Sequence, residues 1–331
     1  MTRAVILGTG SCLPERVMAN AELERMVETS DEWIRTRSGI SERRIAGPGE
    51  YIHKVAAEAG RRARAAAGLA PEDLDLIVLA TVSPYMIMPS TSCFVQAELG
   101  AVNAFAYDIS AACAGFLFGI DLAGKYINAR PDMKVLVIGA EILSTRTNWQ
   151  DRNTCVLFGD GAGAAVLSGA EGDPGEDGGR GIVDSRLHAD GRLWRLLYTE
   201  GPPSMNPDLR QPDWKGPYIQ MNGSELFKHA VRLMETAVRE LLTAQGLDIA
   251  DIDLMVPHQA NIRIIKNLGD RLAVPEGKVF TNLDRYGNTS SASIPIALDE
   301  AARAGRLKAG DLVLFCTFGA GLAWGALLLR W

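Results

Sequence analysis

Three side chains carry chemistry that the rest of the chain must bring together: the thiol of Cys113, the imidazole of His258 and the carboxamide of Asn288. A thiolate is a nucleophile able to form a covalent intermediate. A neutral imidazole and a carboxamide are hydrogen-bond donors suited to an oxygen on which negative charge develops. Cys113 lies in Asp108-Ile-Ser-Ala-Ala-Cys-Ala-Gly-Phe-Leu-Phe118, where a strand from Ala104 to Asp108 gives way to a helix. Phe116, Leu117, Ile120, Leu122 and Ala123 recur at helical spacing and carry that helix to about Asn128. The first turn of a helix offers unpaired N–H groups and the positive end of the macrodipole, which favour a thiolate by up to ~2 kcal/mol and predict a lowered thiol pKa. Ala111, Ala112, Ala114 and Gly115 leave room for a substrate at the sulfur. The same residues also fit a cysteine that only fills space, as free cysteines commonly do. The rest of the chain has to decide.

His258 is one of four histidines and the one set beside a polar triplet, in Pro257-His-Gln-Ala-Asn261 after a strand from Asp253 to Val256. Open α/β sheets present ligand-binding groups at such carboxyl ends of parallel strands. His53, His188 and His229 stand in helix-like or loop-like contexts and read as structural. Asn288 lies in Gly287-Asn-Thr-Ser-Ser-Ala-Ser-Ile-Pro295, whose helix begins near Ser290. Internal echoes bring these distant stretches together. Gly68-Leu-Ala-Pro-Glu-Asp-Leu-Asp-Leu-Ile-Val78 and Gly246-Leu-Asp-Ile-Ala-Asp-Ile-Asp-Leu-Met-Val256 share Gly, Leu, Asp, Asp, Leu and Val at equal spacing. Phe158-Gly-Asp-Gly-Ala-Gly163 and Phe318-Gly-Ala-Gly321 are matching Gly-rich turns between apolar strands. The period is far too long for a solenoid and predicts a duplicated domain. Its seam falls in the Gly-, Pro- and acid-rich stretch from Gly169 to Gly181, dividing the chain into residues 1–172 and 173–331. Helices starting at Cys113 and near Ser290 would then pair across a pseudo-twofold axis, which sets Asn288 near the thiol.

A chain of 331 residues with 47% hydrophobic content fits two closely packed α/β domains. Its five cysteines are odd in number and include no C-x-x-C pair, which argues against a disulfide framework or a zinc site and for a reduced, cytoplasmic setting. No signal peptide opens the chain and no run reaches eighteen apolar residues, so no membrane partner is expected. The net charge of −6 argues against nucleic acid. Around Ser30-Asp-Glu-Trp-Ile-Arg-Thr-Arg-Ser-Gly-Ile40 and Glu42-Arg-Arg44, a Trp among arginines suits an adenine ring with its phosphates, as in coenzyme A. A solvated charge run with one core Trp fits the segment as well.

Ser30-Asp-Glu-Trp-Ile, Ala112-Cys-Ala-Gly-Phe116, Phe158-Gly-Asp-Gly-Ala-Gly163, Pro257-His-Gln-Ala-Asn-Ile-Arg263, Gly287-Asn-Thr-Ser290 and Phe318-Gly-Ala-Gly321, in this order over nearly the whole length, resemble the β-ketoacyl-acyl-carrier-protein synthases III. These are the condensing enzymes that start bacterial fatty-acid synthesis, within the thiolase-fold superfamily. The resemblance implies an α/β, duplicated thiolase-like fold, layered α-β-α-β-α with two pseudo-twofold-related halves, and a homodimer. It implies that an acyl-CoA primer, acetyl-CoA in the first instance, acylates Cys113. Decarboxylative condensation with malonyl-acyl carrier protein then gives 3-oxoacyl-carrier protein, without a cofactor or metal. By the same resemblance His258 and Asn288 hold the malonyl thioester oxygen, and the backbone N–H groups of Cys113 and Ala320 form the oxyanion hole. Trp33, Arg37 and Arg152 contact coenzyme A, Gln259, Ala260, Asn261, Ile262 and Arg263 meet the carrier protein, and Phe318 keeps the departing carboxylate poorly solvated.

Departures concern the primer and the carrier. Met88, in Pro84-Tyr-Met-Ile-Met-Pro89, stands where an aromatic is often found, and Tyr198 to Tyr218 is long and rich in Pro and Trp. Both are expected to border the acyl pocket, which leaves a related enzyme for longer or branched primers as the alternative. Asp270 interrupts the basic group Lys228, Arg263, Lys266 and Arg271 expected to dock the acidic carrier. Among rivals, a thiolase would place a second catalytic Cys in a Cys-x-Gly turn, whereas Cys316 lies within a strand. A hydroxymethylglutaryl synthase would carry a general-acid Glu around Thr81-Val-Ser-Pro84, where none stands. A Cys-His-Asn hydrolase would use His258 as a base on water. A non-catalytic chain-length partner would have no use for all three residues.

Overall fold

The computed structural model describes residues 3–170, 179–210 and 212–331. Its two principal sheets are built from nine strands. β1 (Ala4–Cys12), β2 (Leu76–Ala80), β3 (Phe105–Ile109), β4 (Val135–Ile142) and β5 (Asp160–Gly169) form the first, in the order β1-β5-β4-β2-β3. β6 (Gly181–Ala189), β7 (Leu254–Pro257), β8 (Leu312–Gly319) and β9 (Ala323–Arg330) form the second, in the order β6-β9-β8-β7. Directions match strand for strand: β2 is parallel to β4 as β7 is to β8, and the remaining neighbours toward β1 and β6 are antiparallel. The counterpart of β3 is reduced to one parallel bridge, Met255 to Val279. The seam expected between residues 172 and 173 lies outside the described residues.

The echoed sequences do the same work in both halves. Gly68 and Gly246 adopt φ of 70° and 65° just past a helix end, a left-handed turn that side chains resist. The first Asp of each echo accepts a backbone N–H three residues upstream, Asp73 from Ala70 and Asp251 from Asp248, at 2.7 and 2.8 Å. The second ties the incoming strand to its neighbour: Asp75 accepts from Lys134 N–H and Asp253 from Leu312 N–H, at 2.8 and 2.9 Å.

Seven helices of eight residues or more are described: α1 (Asp31–Ser38), α2 (Ile52–Ala66), α3 (Thr91–Leu99), α4 (Gly115–Ala129), α5 (Gly223–Gln245), α6 (Ile262–Leu272) and α7 (Ser293–Arg303). They cover the sheets in layers because the strands are apolar on both faces. On β2 and β4, Val78 and Val137 point inward to α4 and α7, packing with Phe116, Leu117, Ile294 and Leu298. From the second sheet, Val256, Phe315 and Leu327 meet the same two helices. The intervening residues Ile77, Leu79, Leu136 and Ile138 point outward to α2 and α3, and Met255 and Leu314 do so toward α5 and α6. The order of layers is therefore α-β-α-β-α, with α4 and α7 in the middle. No helix among the described residues is long and apolar enough to cross a membrane.

Candidate active site

Each central helix is entered through a 3-10 turn, Ala112–Ala114 before α4 and Ser290–Ala292 before α7, and the two turns touch. Both open on a non-glycine residue at positive φ, Ala112 at 46° and Ser290 at 49°. Such backbone strain persists only where the surroundings enforce it, and it clusters at functional sites. Here it sets Cys113 at the meeting of two cavities. One of about 520 Å³ is lined by Trp33, Arg37, Cys113, His258, Asn288 and Phe318. The other, about 710 Å³, is lined by Cys113, Ser290, Ala320, Met88 and Tyr198 among others. The thiol, imidazole and carboxamide thus converge on one cavity, with a second opening onto the same sulfur. Gly319 makes the close approach possible, since a Cβ there would lie 2.8 Å from the Cys113 nitrogen.

The thiol does not follow the expectation from its helix start. Cys113 is 7% exposed, and burial pushes it up to about 12, outweighing the hydrogen bond from Ser290 that favours the thiolate. Burial also pushes His258 down to about 3, so its imidazole is neutral at physiological pH. The pair at rest is therefore a thiol and a neutral ring, not a thiolate and an imidazolium. His258 extends from the end of β7, with its N–H on Cys316 O at 2.8 Å and Nδ1 2.6 Å from Ser293 Oγ. A Ser293 hydroxyl donating to Nδ1 would leave the ring proton on Nε2. Asn288 is fixed through its backbone to Leu157 O and Gly159 N–H, and its Oδ1 accepts from Ser290 N–H at 2.9 Å. The amide nitrogen Nδ2 is left as its free donor. Thr317 Oγ1 donates to Cys113 O at 2.9 Å and ties β8 to the nucleophile turn.

The mouth of the first cavity is basic and aromatic. Ser30 caps α1 by accepting from Trp33 N–H at 3.1 Å. Two guanidinium groups stand near the Trp33 ring, Arg152 at 4.9 Å and Arg37 at 5.9 Å from its centroid. Asn261 caps α6 through Arg263 N–H, and its Nδ2 donates to Arg37 O at 3.0 Å, joining the two halves at this rim. Arg263 and Lys266 are exposed.

Part of the expected carrier contact is corrected here. Gln259 is buried, donating to Pro257 O and Phe280 O and accepting from Asn282 N–H, so it braces the His258 loop instead of meeting a partner. Ile262 is half-buried and packs against Gly39. In the basic group, Lys228 pairs with Glu225 and Arg271 with Glu235, leaving Arg263 and Lys266 as its available charges. Met88 lines the second cavity and is 83% exposed, and of the Tyr198 to Tyr218 segment only Tyr198 to Pro202 lines it.

Sequence reasoning missed Ser293 and Glu141. Glu141 ends the apolar run of β4 and is fully buried, and its carboxylate reaches Thr81 and Ser83 across the sheet. A carboxyl therefore does stand at Thr81-Val-Ser83, supplied from another strand. A lone Glu at the end of an apolar strand was the available signal.

Two family models match the chain: 3-oxoacyl-[acyl-carrier-protein (ACP)] synthase III over residues 107–191, and its C-terminal counterpart over residues 242–331. The beta-ketoacyl-[acyl-carrier-protein] synthase III of Desulfotalea psychrophila is 55% identical over 327 residues, covering 99% of each chain. Among solved structures, 3-oxoacyl-[acyl-carrier-protein] synthase III from Aquifex aeolicus matches with a TM-score of 0.91 at 48% identity, over 99% of this chain and 100% of that one. The priming beta-ketosynthase of the R1128 polyketide pathway matches at 0.91 and 37%, over 99% and 96%. With likeness of this extent in sequence and fold, the chain belongs to the 3-oxoacyl-[acyl-carrier-protein] synthase III family, the condensing enzymes that initiate fatty-acid synthesis.

Proposed function

We propose that this chain carries an acyl group from acyl-coenzyme A, acetyl-CoA in the first instance, onto Cys113 and condenses it with a malonyl-carrier protein. The reading rests on one observation: a thiol, a neutral imidazole and a carboxamide converge on a cavity whose mouth holds an indole with two guanidinium groups within 6 Å of it. Trp33 stacks the adenine, and Arg37 and Arg152 pair with the phosphates. Cys113 sulfur then adds to the thioester carbonyl, whose oxygen accepts from the Cys113 and Ala320 N–H groups, and coenzyme A leaves as its thiol. Malonyl-carrier protein next enters the same tunnel. Loss of CO2 leaves an enolate, whose oxygen accepts from His258 Nε2–H and Asn288 Nδ2–H. Its carbon adds to the acyl-Cys113 carbonyl, and collapse releases 3-oxoacyl-carrier protein and the Cys113 thiolate, which one proton from solvent returns to the thiol. Uncharged donors suit this step because a cation would bind the malonyl carboxylate in the ground state and gain nothing in rate. Phe318 keeps that carboxylate poorly solvated.

Ala260, Asn261 and above all Arg263 with Lys266 form the carrier-docking side of the mouth. The two halves divide at residues 172 and 173, and the reaction needs no metal or cofactor, coenzyme A thioesters being substrates. We infer a cytoplasmic homodimer: β3 is a sheet edge with Phe105 exposed, and Ile87 and Met88 beside it are each 83% exposed, so apolar surface awaits cover. One observation favours a second reading, priming with longer or branched acyl groups: the cavity behind Cys113 holds about 710 Å³, far more than two carbons fill. Radiolabelled acyl-CoA primers of increasing length, followed by malonyl-carrier protein, test both. Condensation product from acetyl-CoA supports the first reading and a marked preference for longer primers the second. Free acid, or no transfer to the protein, overturns them.

A further inference from the structure

The arginine-rich stretch Glu42-Arg-Arg44, expected to meet phosphates, holds one arginine that no ligand can reach. Arg43 is fully buried in the short strand Glu42–Ile45, which pairs with Arg16–Ala19. Its guanidinium donates to Met18 O at 3.3 Å and to Asn20 Oδ1 and Val156 O, each at 2.8 Å. Among the described residues its Nε has no partner. Burial lowers the guanidinium to about 10, so it stays charged at neutral pH while every group it bonds is neutral. A buried charge without a counterion is costly, and an apolar side chain of similar volume would often be at least as stable in its place. The oxygens it gathers show what the charge is kept for. Val156 opens the segment on which Asn288 is registered: Leu157 O accepts from Asn288 N–H at 2.8 Å, and Gly159 N–H donates to Asn288 O at 3.0 Å, a parallel bridge between Phe158 and Asn288. The Arg43 stem packs against both strands of that bridge. A Cβ at Gly159 would lie 3.2 Å from Arg43 Cβ, and one at Gly287 would lie 3.5 Å from it. On the other side, Asn20 Nδ2 donates to Asp31 Oδ1 and Ile40 O, each at 2.8 Å, which ties the guanidinium to the start of α1.

We propose that Arg43 is a positioning residue for Asn288, its bond to Val156 O and its stem beneath the Phe158–Asn288 bridge setting where the carboxamide stands in the first cavity. Arg43 touches no reacting atom. Its guanidinium suits the task because one rigid fork spans acceptors on two segments, which a single-headed ammonium does not. Asn288 Oδ1 is already taken by Ser290 N–H, so the direction of its Nδ2 follows the backbone that the 156–159 segment holds. The inference rests on the proposed role of Asn288 as a donor to the enolate oxygen. Acyl transfer to Cys113 does not use that donor, so the two half-reactions separate a positioning role from a general one.

Acetyl transfer to Cys113 and CO2 release from malonyl-carrier protein by the acetylated enzyme are measured by rapid quench in wild type, Arg43→Met, Asn288→Ala and the double variant, with circular dichroism as a check on folding. Arg43→Met keeps an unbranched stem and removes the donors. At saturating malonyl-carrier protein its CO2 release should fall roughly ten- to a hundredfold, the effect of a misplaced group. The KM for malonyl-carrier protein and the rate of acetyl transfer should stay within about threefold of wild type. In the Asn288→Ala background the same substitution should change CO2 release by less than about threefold, because the carboxamide it would misplace is gone. Equal loss in both half-reactions, or losses that multiply in the double variant, overturn the positioning role and leave Asn288 in place as a donor. Arg43→Lys, which keeps the charge but not the fork, should fall between Arg43→Met and wild type. If Arg43→Met does not fold, the same cycle run with Arg43→Lys decides by the same outcomes. Asn288→Ala releasing CO2 at the wild-type rate would instead overturn the proposed role of Asn288, and this inference with it.

Discussion

Replacing Ser293 by Ala isolates the half of the reaction that depends on the imidazole. Ser293 Oγ lies 2.6 Å from His258 Nδ1 and is too far around α7 to touch a substrate in the first cavity, which it does not line. Donating to Nδ1, its hydroxyl would hold the proton of the buried neutral ring on Nε2, facing the cavity. Ser293 Oγ is the one hydrogen-bond partner of Nδ1 among the described residues, so its loss leaves Nδ1 unpaired. An unpaired buried polar atom costs about 1–3 kcal/mol, and if this falls on the enolate-forming step the decarboxylation rate drops roughly 5- to 150-fold. Acyl transfer to Cys113 should change by less than about threefold, since that step does not use Nε2. Rapid-quench measurement of acetyl transfer and of CO2 release from malonyl-carrier protein separates the two. Equal loss in both steps, or no loss in CO2 release, would refute the orienting role. Ser293→Thr, which keeps the hydroxyl, should stay close to wild type in both.

Acyl label should appear on Cys113 alone; peptide mapping that finds it on Cys93, Cys155 or Cys316 with Cys113 unmodified would exclude Cys113 as nucleophile. The folded pKa of Glu141, about 7, lies above its ordinary 4.5. Between those values the native state keeps a proton that the unfolded chain has released, so stability falls as pH rises through this window. Glu141→Gln removes the dependence, and its stability relative to wild type should climb by up to about 3 kcal/mol from pH 4.5 to 7 in urea titrations. Arg263→Glu should raise the KM for malonyl-carrier protein, more at low salt, while leaving acyl-CoA transfer near wild type; unchanged kinetics and salt dependence would remove Arg263 from the docking surface. Light scattering at micromolar concentration should give twice the chain mass, and Met88→Asp should lower it toward one.

What was legible in the sequence was what obeys local rules. Echoed Gly-Leu and Asp positions predicted the duplication because a left-handed glycine and two acceptor carboxylates are needed wherever this turn enters this sheet. Cys113 and Asn288 were legible as neighbours once the two helix starts were matched. What was not legible depends on three-dimensional dielectric. A helix start lowers a thiol pKa only while its field outweighs desolvation, and periodicity does not reveal that Cys113 is enclosed by a second sheet. Gln259 illustrates the same limit: the family resemblance set it in the carrier-binding stretch. Only the fold reveals that Phe280 O and Asn282 N–H complete its hydrogen bonds. Glu141 offered one local signal, a lone acid in an apolar strand, but its surroundings were not legible because its partners come from Thr81 to Ser83 and Ser291, distant in sequence.

The duplication also explains how one site can hold groups of opposite demand. Both halves offer the same feature at the axis, a strained 3-10 turn opening a central helix, at Ala112 in one and Ser290 in the other. In the first half the residue after the strained position is the nucleophile. In the second, the N–H of the strained residue fixes Asn288 Oδ1. Had both copies kept a thiol, two buried acids would compete for one cavity; had both kept donors, nothing would hold the acyl group. Divergence at two equivalent turns separates storage from enolate stabilisation while the axis keeps them in contact. Strain at Ser290 has a local consequence: relaxing this residue would move the N–H that holds Asn288. Ser290→Gly, which relaxes the backbone, should therefore slow CO2 release more than Ser290→Ala, which keeps a Cβ at the turn. If the two variants behave alike in rapid-quench assays of CO2 release, the backbone of this residue does not have the duty assigned to it.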